Sequence, residues 1–369
     1  MLVLLLASFL LAIPGDLATG SLQETPQAAT GNAPAKLSAA EISELQKRAD
    51  SGEAAAQFAL GKAYESGNGV PQRTDQAATW YRKAAEQGNA KAQNSLGVLY
   101  WLGDGVEKDK NQAVQWYRKA ARQGDANAMF NLGAAYYNGD GVAVNDTLAY
   151  AWFLLSSEGG NSSGQEAAKR SQGEHGPNAF NDACLSVGQM YEKGEDLPKN
   201  VELAAVWYRK AAERGYAEAT ISLANLYLHA LDYTQARHWC EAAAKERLPG
   251  GYFCLGYLYQ HGSGVGPNLK EAFRWYEQGA RGGNVASMQA LARMYESGEG
   301  TKPDRAQAFV WFFMVARRGN QDAITEAKNL RSSMTEKEWK DTQKKLRERS
   351  LDPKLVEAAL QGTSTRPTP

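Results

Sequence analysis

The strongest constraint in this sequence is a tryptophan that returns at a nearly fixed interval. Seven of the nine tryptophans are in register, and the steps between them are 36, 36, 55, 32, 36 and 36 residues. A self-similar period of this length is typical of an array whose units pack only against their neighbours. The sequence therefore predicts a repeat protein with these rings buried between units. The seven are Trp80, Trp116, Trp152, Trp207, Trp239, Trp275 and Trp311.

Each unit combines two helical patterns around a glycine-rich turn. Most units place a glycine nineteen residues before the tryptophan and a tyrosine three residues after that glycine, as in Gly97 and Tyr100. A Gly-x-Gly turn follows, as in Gly103 and Gly105. Because glycine tolerates the left-handed conformation that ends a helix, the pattern predicts helical hairpins. The anchor glycines are Gly61, Gly97, Gly133, Gly188 and Gly256.

These strings resemble the Sel-1-like repeat, a relative of the tetratricopeptide repeat. They read Ala-x-x-x-Leu-Gly-x-x-Tyr-x-x-Gly-x-Gly-Val and then Ala-x-x-Trp-Tyr-x-Lys-Ala-Ala-x-x-Gly, and they cover about 53 to 320. The resemblance implies an all-α fold, a right-handed α-solenoid of about seven helix-turn-helix repeats with capping helices. It also implies an adaptor or scaffold that binds other macromolecules on its concave face, without naming a partner.

Departures from the repeat predict two blocks. Repeat five has Ala224 in place of the anchor glycine and a turn shortened by four residues, and the 55-residue step contains an insertion. Capping boxes at Ser38 and Thr335 each open a helix at the ends of the array. The predicted bounds are 38–172 for repeats one to three with a capping helix, 173–177 for a linker, 178–348 for repeats four to seven with a closing helix, 349–361 for a short helix, and 362–369 for a disordered tail.

The N-terminus predicts export. Leu2 to Ile13 is an apolar run ended by Pro14 and Gly15, which is typical of a signal peptide over 1–20. No Lys or Arg precedes Lys36, so a mis-assigned start codon or an uncleaved anchor explains the run equally well. Residues 21–37 have the composition of a disordered linker. With the resemblance to exported Sel-1-like proteins, this favours a bacterial periplasmic or secreted protein, with a cytoplasmic one as the alternative.

The composition argues against several functional classes. Lys plus Arg and Asp plus Glu both number 41, so the chain lacks the positive charge that drives nucleic-acid binding. No apolar run approaches the roughly 20 residues of a membrane span, so we do not expect an integral membrane protein. The four histidines are scattered, which predicts no metal site, and nothing in the sequence predicts a cofactor.

Two alternatives to a non-catalytic scaffold stay open. Some cysteine-rich members of the resembled family are linked with penicillin binding and β-lactamase activity, so a β-lactamase-like hydrolase is one of them. This chain lacks both a Ser-x-x-Lys motif and paired cysteines in every unit, so we expect no enzyme. The other alternative is a cell-envelope assembly or anchoring factor.

A stripe along the first helices is the candidate surface for other proteins or peptides. It takes the positions three before, one after and four after the anchor glycine, which share one helical face. Apolar residues gather in its middle, while Lys62, Glu65, Arg293 and Glu296 flank it. The alternative is that these rings pack between neighbouring hairpins. The candidates are Asn94, Val98, Trp101, Phe130, Tyr137, Phe253 and Tyr257, with Ala134 and Gln260 on the same positions.

Two of the three cysteines are predicted to lie level with each other. Cys240 and Cys254 are each about seven residues from a turn near Arg247, so antiparallel helices would bring them together. In an exported protein they would be able to form a disulfide, and the alternative is two small buried thiols. Cys184 is predicted to be part of the core.

Overall fold

The computed structural model describes residues 36–361, which contain 19 helices and no strand. The all-α fold of packed helical hairpins predicted from the repeats is therefore confirmed. Contacts divide the chain into two compact units, one ending at Asn200 and one beginning at Val201. The predicted signal peptide, the linker up to residue 35 and the predicted tail at 362–369 lie outside the described residues.

The first unit contains nine of the helices, and successive helices pack as hairpins and then against the next hairpin. The helices are α1 Ala39–Asp50, α2 Ala54–Ser66, α3 Thr74–Glu86, α4 Ala90–Leu102, α5 Lys110–Ala121, α6 Ala126–Asn138, α7 Asp146–Glu158, α8 Ser162–Glu174 and α9 Ala179–Lys193.

The second unit contains ten helices in the same alternation. They are α10 Val201–Ala212, α11 Ala217–His229, α12 Tyr233–Lys245, α13 Pro249–His261, α14 Leu269–Arg281, α15 Val285–Ser297, α16 Arg305–Ala316, α17 Gln321–Ser333, α18 Glu336–Glu348 and α19 Pro353–Gln361.

The two glycines of each Gly-x-Gly turn have different structural roles. The first closes a helix in the left-handed conformation, as Gly103 does after α4 with φ 78°. The second packs against the hairpin before it, because a Cβ atom on Gly105 would overlap the backbone of Thr74 at the start of α3. The turn therefore both reverses the chain and joins neighbouring hairpins.

In the interior of most hairpins, an aromatic ring packs against a glycine. The residue after the repeat tryptophan sends its ring from the second helix onto the anchor glycine of the first. A Cβ atom built on Gly97 would lie 2.7 Å from Tyr117 Cε1, which is too close for two carbon atoms. Glycine is therefore required in mid-helix despite its low helix propensity. The four pairs of this kind are Gly61 with Tyr81, Gly97 with Tyr117, Gly133 with Phe153, and Gly256 with Tyr276.

A hydrogen bond of fixed register links successive hairpins. The Arg two residues after the tryptophan donates to the hydroxyl of the repeat tyrosine in the next hairpin. Arg82 Nη2 lies 2.9 Å from the Tyr100 hydroxyl, and Arg118 Nη2 lies 2.7 Å from the Tyr136 hydroxyl. Where this arginine is present, the repeat tyrosine thus ties one hairpin to its predecessor.

The repeat tryptophans are less uniformly buried than the sequence predicts. Trp80, Trp152, Trp207 and Trp311 are buried, whereas Trp116, Trp239 and Trp275 are half-buried. The interior place belongs to the next residue, so the indole lies nearer the surface of the hairpin. In three units a lysine three residues on lies over the ring, with Nζ 4.0 Å, 3.9 Å and 3.7 Å from the centroid. These are Lys83 on Trp80, Lys119 on Trp116 and Lys210 on Trp207.

Both units contain an extra helix after a hairpin. In the first unit α7 packs against both α8 and α9, and in the second α16 packs against both α17 and α18. The extra helices α8 and α17 start alike, because the side chains of Asn161 and Asn320 cap their first turns. At the end of the second unit, Trp339 of α18 packs edge-on against Phe309 at 5.5 Å.

The observed helix bounds differ from the predicted block boundaries. Helix α8 continues through Gly173 to Glu174, so the non-helical connection before α9 is residues 175–178 instead of 173–177. Contacts divide the chain later, after Asn200, because α9 packs on α7. The capping boxes at Ser38 and Thr335 and a last helix beginning at Pro353 are present as predicted.

Repeat five has the short turn predicted for it. Helix α11 ends at His229 and α12 begins at Tyr233. Leu231 takes a left-handed conformation, with φ 61°, and 67% of it is exposed. A leucine there carries the steric cost of the left-handed region and gains little from burial.

We predict that Gly97→Ala destabilises the protein by about 1–3 kcal/mol, because the added methyl overlaps the Tyr117 ring and overpacks the hairpin. Urea denaturation followed by circular dichroism measures the change. Gly173→Ala is the matched control, since Gly173 is also helical but has no atom near its Cβ position. That variant should be neutral or up to about 1 kcal/mol more stable. Equal stability of Gly97→Ala and wild type would contradict the packing argument.

We also predict that Leu231→Gly raises the free energy of unfolding by up to about 1 kcal/mol, because glycine adopts the left-handed conformation without steric cost. The comparison is thermal or urea unfolding of the two proteins side by side. Leu231→Val, which stays apolar but introduces a β-branched side chain at φ 61°, should be less stable than wild type. A destabilised Leu231→Gly would show that the leucine side chain contributes more than its exposure indicates.

Candidate partner-binding surface

The position three before the anchor glycine belongs to the hairpin interior in three repeats. Phe58 packs on Tyr81 with ring centroids 5.6 Å apart, and Phe130 packs on Phe153 at 5.8 Å. Phe130 is only 5% exposed, so a docked partner would not reach its ring directly. The Phe130 ring is thus part of the hairpin core, and its contact with a partner stays a prediction.

Trp101 holds a fixed orientation at the half-exposed end of α4. Its indole Nε1 donates to Asp140 Oδ2 at 2.9 Å, and Lys110 Nζ pairs with Asp140 Oδ1 at 2.5 Å. Asp140 comes from the Gly-x-Gly turn of the next hairpin. Lys108 Nζ lies 5.9 Å from the centroid of the Trp101 ring, as does that of Lys110. The turn therefore orients an aromatic side chain that remains partly open to solvent between two lysines.

The other two stripe residues of α4 lie one and two turns before Trp101. Asn94 accepts a hydrogen bond at 2.9 Å from Nδ2 of Asn131 on α6, which links two first helices. Val98 is half-exposed between Asn94 and Trp101. The face of α4 thus presents a polar bridge, an aliphatic side chain and an indole in succession.

The extra helix α8 covers part of the stripe in repeat three. Ala134 is buried, while Tyr137 is half-exposed and its hydroxyl donates to Glu174 Oε2 at 3.4 Å. Burial and the Glu174 carboxylate raise the pKa of Tyr137. A narrow apolar cleft runs between α6 and α8, and Arg170 and Glu174 line it beside Tyr137. The repeat pattern does not reveal this cover, although the Gly160-Asn161 pair repeats the Gly88-Asn89 pair that opens α4.

In the second unit, the stripe is most exposed on α13. Tyr257 is 36% exposed and packs against His261 with ring centroids 4.3 Å apart. Phe253 is half-buried against Tyr276 at 5.8 Å. Gln260 accepts from the Tyr276 hydroxyl at 2.8 Å, so its side chain is used inside the hairpin.

The flanking positions are polar, and one of them is also used inside its hairpin. Glu65 accepts from the Tyr81 hydroxyl at 2.7 Å. Because burial raises the pKa of Tyr81, that hydroxyl stays protonated and keeps donating. Lys62, Arg293 and Glu296 are exposed. Polar residues thus flank the apolar stripe, but the Glu65 carboxylate already accepts a hydrogen bond within its own hairpin.

Repeat five adds residues that the sequence analysis missed. Ile221, Asn225 and Leu228 occupy the three stripe positions around Ala224, and all are half-exposed on α11. Ala224 at the anchor position gives this register, so the sequence alone is sufficient to place these three residues on the stripe. The second unit therefore presents a second set of apolar side chains on α11, beside those of α13.

The cysteines lie as the sequence predicts. Cys240 of α12 and Cys254 of α13 are joined by a disulfide, with Cα atoms 5.7 Å apart, and both are buried. Cys184 is fully buried on α9.

The chemistry of the described residues gives no cluster suited to a metal. Within residues 36–361, no group of three or more His, Cys, Asp or Glu side chains converges on one point. The histidines lie far apart along the helices, with His175 Nδ1 3.9 Å from Asp146 Oδ2. Across the same range, no helix combines the length and the apolar character that crossing a bilayer requires.

Comparison with known proteins identifies the repeat. The Sel1 repeat model matches seven segments that together cover more than half of the chain. The segments are 54–89, 90–125, 126–161, 181–216, 217–247, 251–284 and 285–320.

The curated relatives share only a segment with this chain. The chitin synthase regulator SKT5 of Saccharomyces cerevisiae is 35% identical over 101 residues, which cover 26% of this chain and 14% of that protein. The ERAD-associated E3 ubiquitin-protein ligase component HRD3 of Candida glabrata is 27% identical over 100 residues, covering 26% of this chain and 12% of that protein. The match therefore spans well under two thirds of either relative.

A solved structure is similar over a longer stretch. The protein c5321, a protective antigen of uropathogenic Escherichia coli with an SLR fold, is 29% identical. The match covers 89% of this chain and 75% of that one, with a TM-score of 0.43. The repeat model matches in all seven hairpins where the tryptophan register places them, and the chain belongs to the Sel1 repeat family.

Proposed function

We propose that this chain is a non-catalytic protein-interaction module that binds a protein or peptide segment on the stripe of its first helices that the sequence predicts to line a concave face. In the first unit the contact residues are Val98, Trp101 and Tyr137. In the second unit they are Phe253 and Tyr257. Large, partly exposed aromatic side chains of this kind are the residues that dominate binding energy at protein interfaces.

One observation carries the proposal. The Trp101 ring is half-exposed, and its orientation is fixed because its indole N–H donates to Asp140. A preoriented ring loses little conformational entropy when a partner covers it. Exposed Lys108 and Lys62 favour a segment that carries a carboxylate beside its apolar side chain. The named roles of the relatives, a chitin synthase regulator and a ligase component, are consistent with action on other proteins.

We also propose that the protein works outside the cytoplasm, in a bacterial periplasm or as a secreted protein. The apolar run before Pro14 supports this, and so does the pairing of Cys240 with Cys254, since disulfides persist in oxidising compartments. Cell fractionation of the expressed full chain tests it, and a protein found wholly in the cytoplasm with both thiols reduced would contradict it.

The binding surface is tested by site-specific photo-crosslinking in cells. A crosslinking amino acid at Val98, which is half-exposed on the stripe, should give a covalent adduct with a partner. The matched control is the same amino acid at Gln115, an exposed position on the second helix α5. Equal adducts from both positions, or none from Val98, would contradict the proposal.

We predict that Trp101→Ala and Tyr137→Ala each weaken binding of the crosslinked partner by roughly 1–3 kcal/mol, or 5–150-fold in Kd, because an aromatic contact is lost. Calorimetry or interferometry on purified proteins measures this, and circular dichroism should show unchanged helical content. Trp101→Phe keeps a ring and removes only the bond to Asp140, so it should retain more affinity than Trp101→Ala. Loss of the fold in both alanine variants would instead place these rings in the core.

A further inference from the structure

One hairpin departs from the ring-on-glycine packing at both positions at once. In repeat five, Ala224 stands at the anchor position and Cys240 stands where the other hairpins have a tyrosine or phenylalanine. Both residues are buried. A small side chain at 240 leaves room for the methyl group of Ala224. Repeat seven also has an alanine, Ala292, at the anchor position but keeps a ring at Phe312, so repeat five alone combines both changes. The hairpin has lost its ring, and its shortened turn also lacks the Gly-x-Gly glycines.

Cys254 stands at the position that Ser95 has in the first unit. In the first unit the ring of Tyr81 reaches beyond its own hairpin, since the Ser95 side chain on the next first helix lies beside its hydroxyl. Ser95 stands two residues before anchor Gly97, and Cys254 stands two residues before anchor Gly256. The separation of the two cysteines is 14 residues, the same as from Tyr81 to Ser95. The Cys240–Cys254 bond therefore occupies the site of a tyrosine–serine contact between hairpins.

The bond is central to the joint between α12 and α13. Ala224, Cys240, Cys254, Leu255 and Leu258 form one buried hydrophobic cluster. Two cysteine side chains are much smaller than a tyrosine ring with its serine partner. Without a covalent bond, they would leave this cluster with fewer contacts than its counterparts in the other hairpins.

We infer that the Cys240–Cys254 disulfide is a redox-dependent joint, a covalent substitute for the contact that Tyr81 makes with Ser95 between hairpins of the first unit. Oxidised, it fixes α13 against α12. Reduced, it leaves the two helices joined only by an underfilled cluster. The three matched positions, Ala224, Cys240 and Cys254, are what distinguishes this joint from a chance pair of neighbouring thiols.

Opening the joint needs a small thiol or dithiol as the reductant. Its thiolate attacks one sulfur, breaks the S–S bond and forms a mixed disulfide, while the other cysteine leaves as a thiolate and takes a proton. A second thiol then releases the first cysteine, so that two protein thiols and one small-molecule disulfide result. Because both sulfurs are buried, the attack follows a local opening of α12 and α13.

The joint also positions the candidate surface of the second unit. Phe253 precedes Cys254 directly, and Tyr257 lies one turn later on the same helix. This consequence rests on the proposed function: reduction would weaken a partner bound through Phe253 and Tyr257. The joint itself is tested without any partner, so the two ideas succeed or fail separately.

The test is hydrogen–deuterium exchange of the full chain, oxidised and after reduction with a small dithiol. We expect amides of 233–261 to exchange at least about tenfold faster after reduction, because a native disulfide of this loop size contributes strongly to local stability. Amides of α4 and α5, and of α15 and α16, should change little. Cys240→Ser with Cys254→Ser should behave like the reduced protein under both conditions.

A restoring variant provides the decisive control. Ala224→Gly, Cys240→Tyr and Cys254→Ser together recreate the residues of the first-unit contact, so 233–261 should be protected with or without reductant. Exchange in wild type that stays within about twofold on reduction would overturn the inference. So would alkylation of both cysteines without prior reduction, or a restoring variant that exchanges as fast as the double serine variant.

Discussion

The packing of an aromatic ring against a glycine is the contact on which most hairpins depend. It brings the two helices close enough for the small residues around the glycine to touch, and it fixes which way each helix is turned. Tyr117 on Gly97 shows the constraint most clearly, because the ring carbons Cε1 and Cδ1 of Tyr117 and the backbone oxygen of Ala113 surround the position that a Cβ atom on Gly97 would take. That orientation sets where the chain leaves each helix. It also places the arginine that bonds the next tyrosine and the turn that docks on the preceding hairpin.

The same orientation leaves part of one face of α4 without a partner in its own hairpin. On α4 this face carries Val98 and Trp101, and the following turn supplies Asp140 to hold the indole in place. A structural interaction between hairpins thus positions a side chain suited to binding. The disulfide in the second unit is also a contact between hairpins that lies beside candidate binding residues. Cys254 follows Phe253 directly, and the bond to Cys240 holds the helix that carries Tyr257.

Much of this arrangement follows from the residue pattern, and its exceptions have physical reasons. Glycine positions predict the hairpins because few residues can close a helix or lie beneath a ring. The burial of Phe130 under Phe153 is not evident from the sequence, because helical periodicity gives the direction of a side chain and not the reach of a ring from the opposite helix. Trp116 is half-buried because the next residue fills the interior. The bond from Trp101 to Asp140 joins residues 39 apart, and no local pattern encodes it.

The most direct test of the central contact is a double-mutant cycle between Gly97 and Tyr117, followed by urea denaturation. The account predicts that Gly97→Ala is destabilising when Tyr117 is present and costs nothing, or gains up to about 1 kcal/mol, when the ring is removed by Tyr117→Ala. The two changes should therefore be strongly non-additive. Additive effects, with the same cost of Gly97→Ala in both backgrounds, would show that the ring and the glycine do not depend on each other.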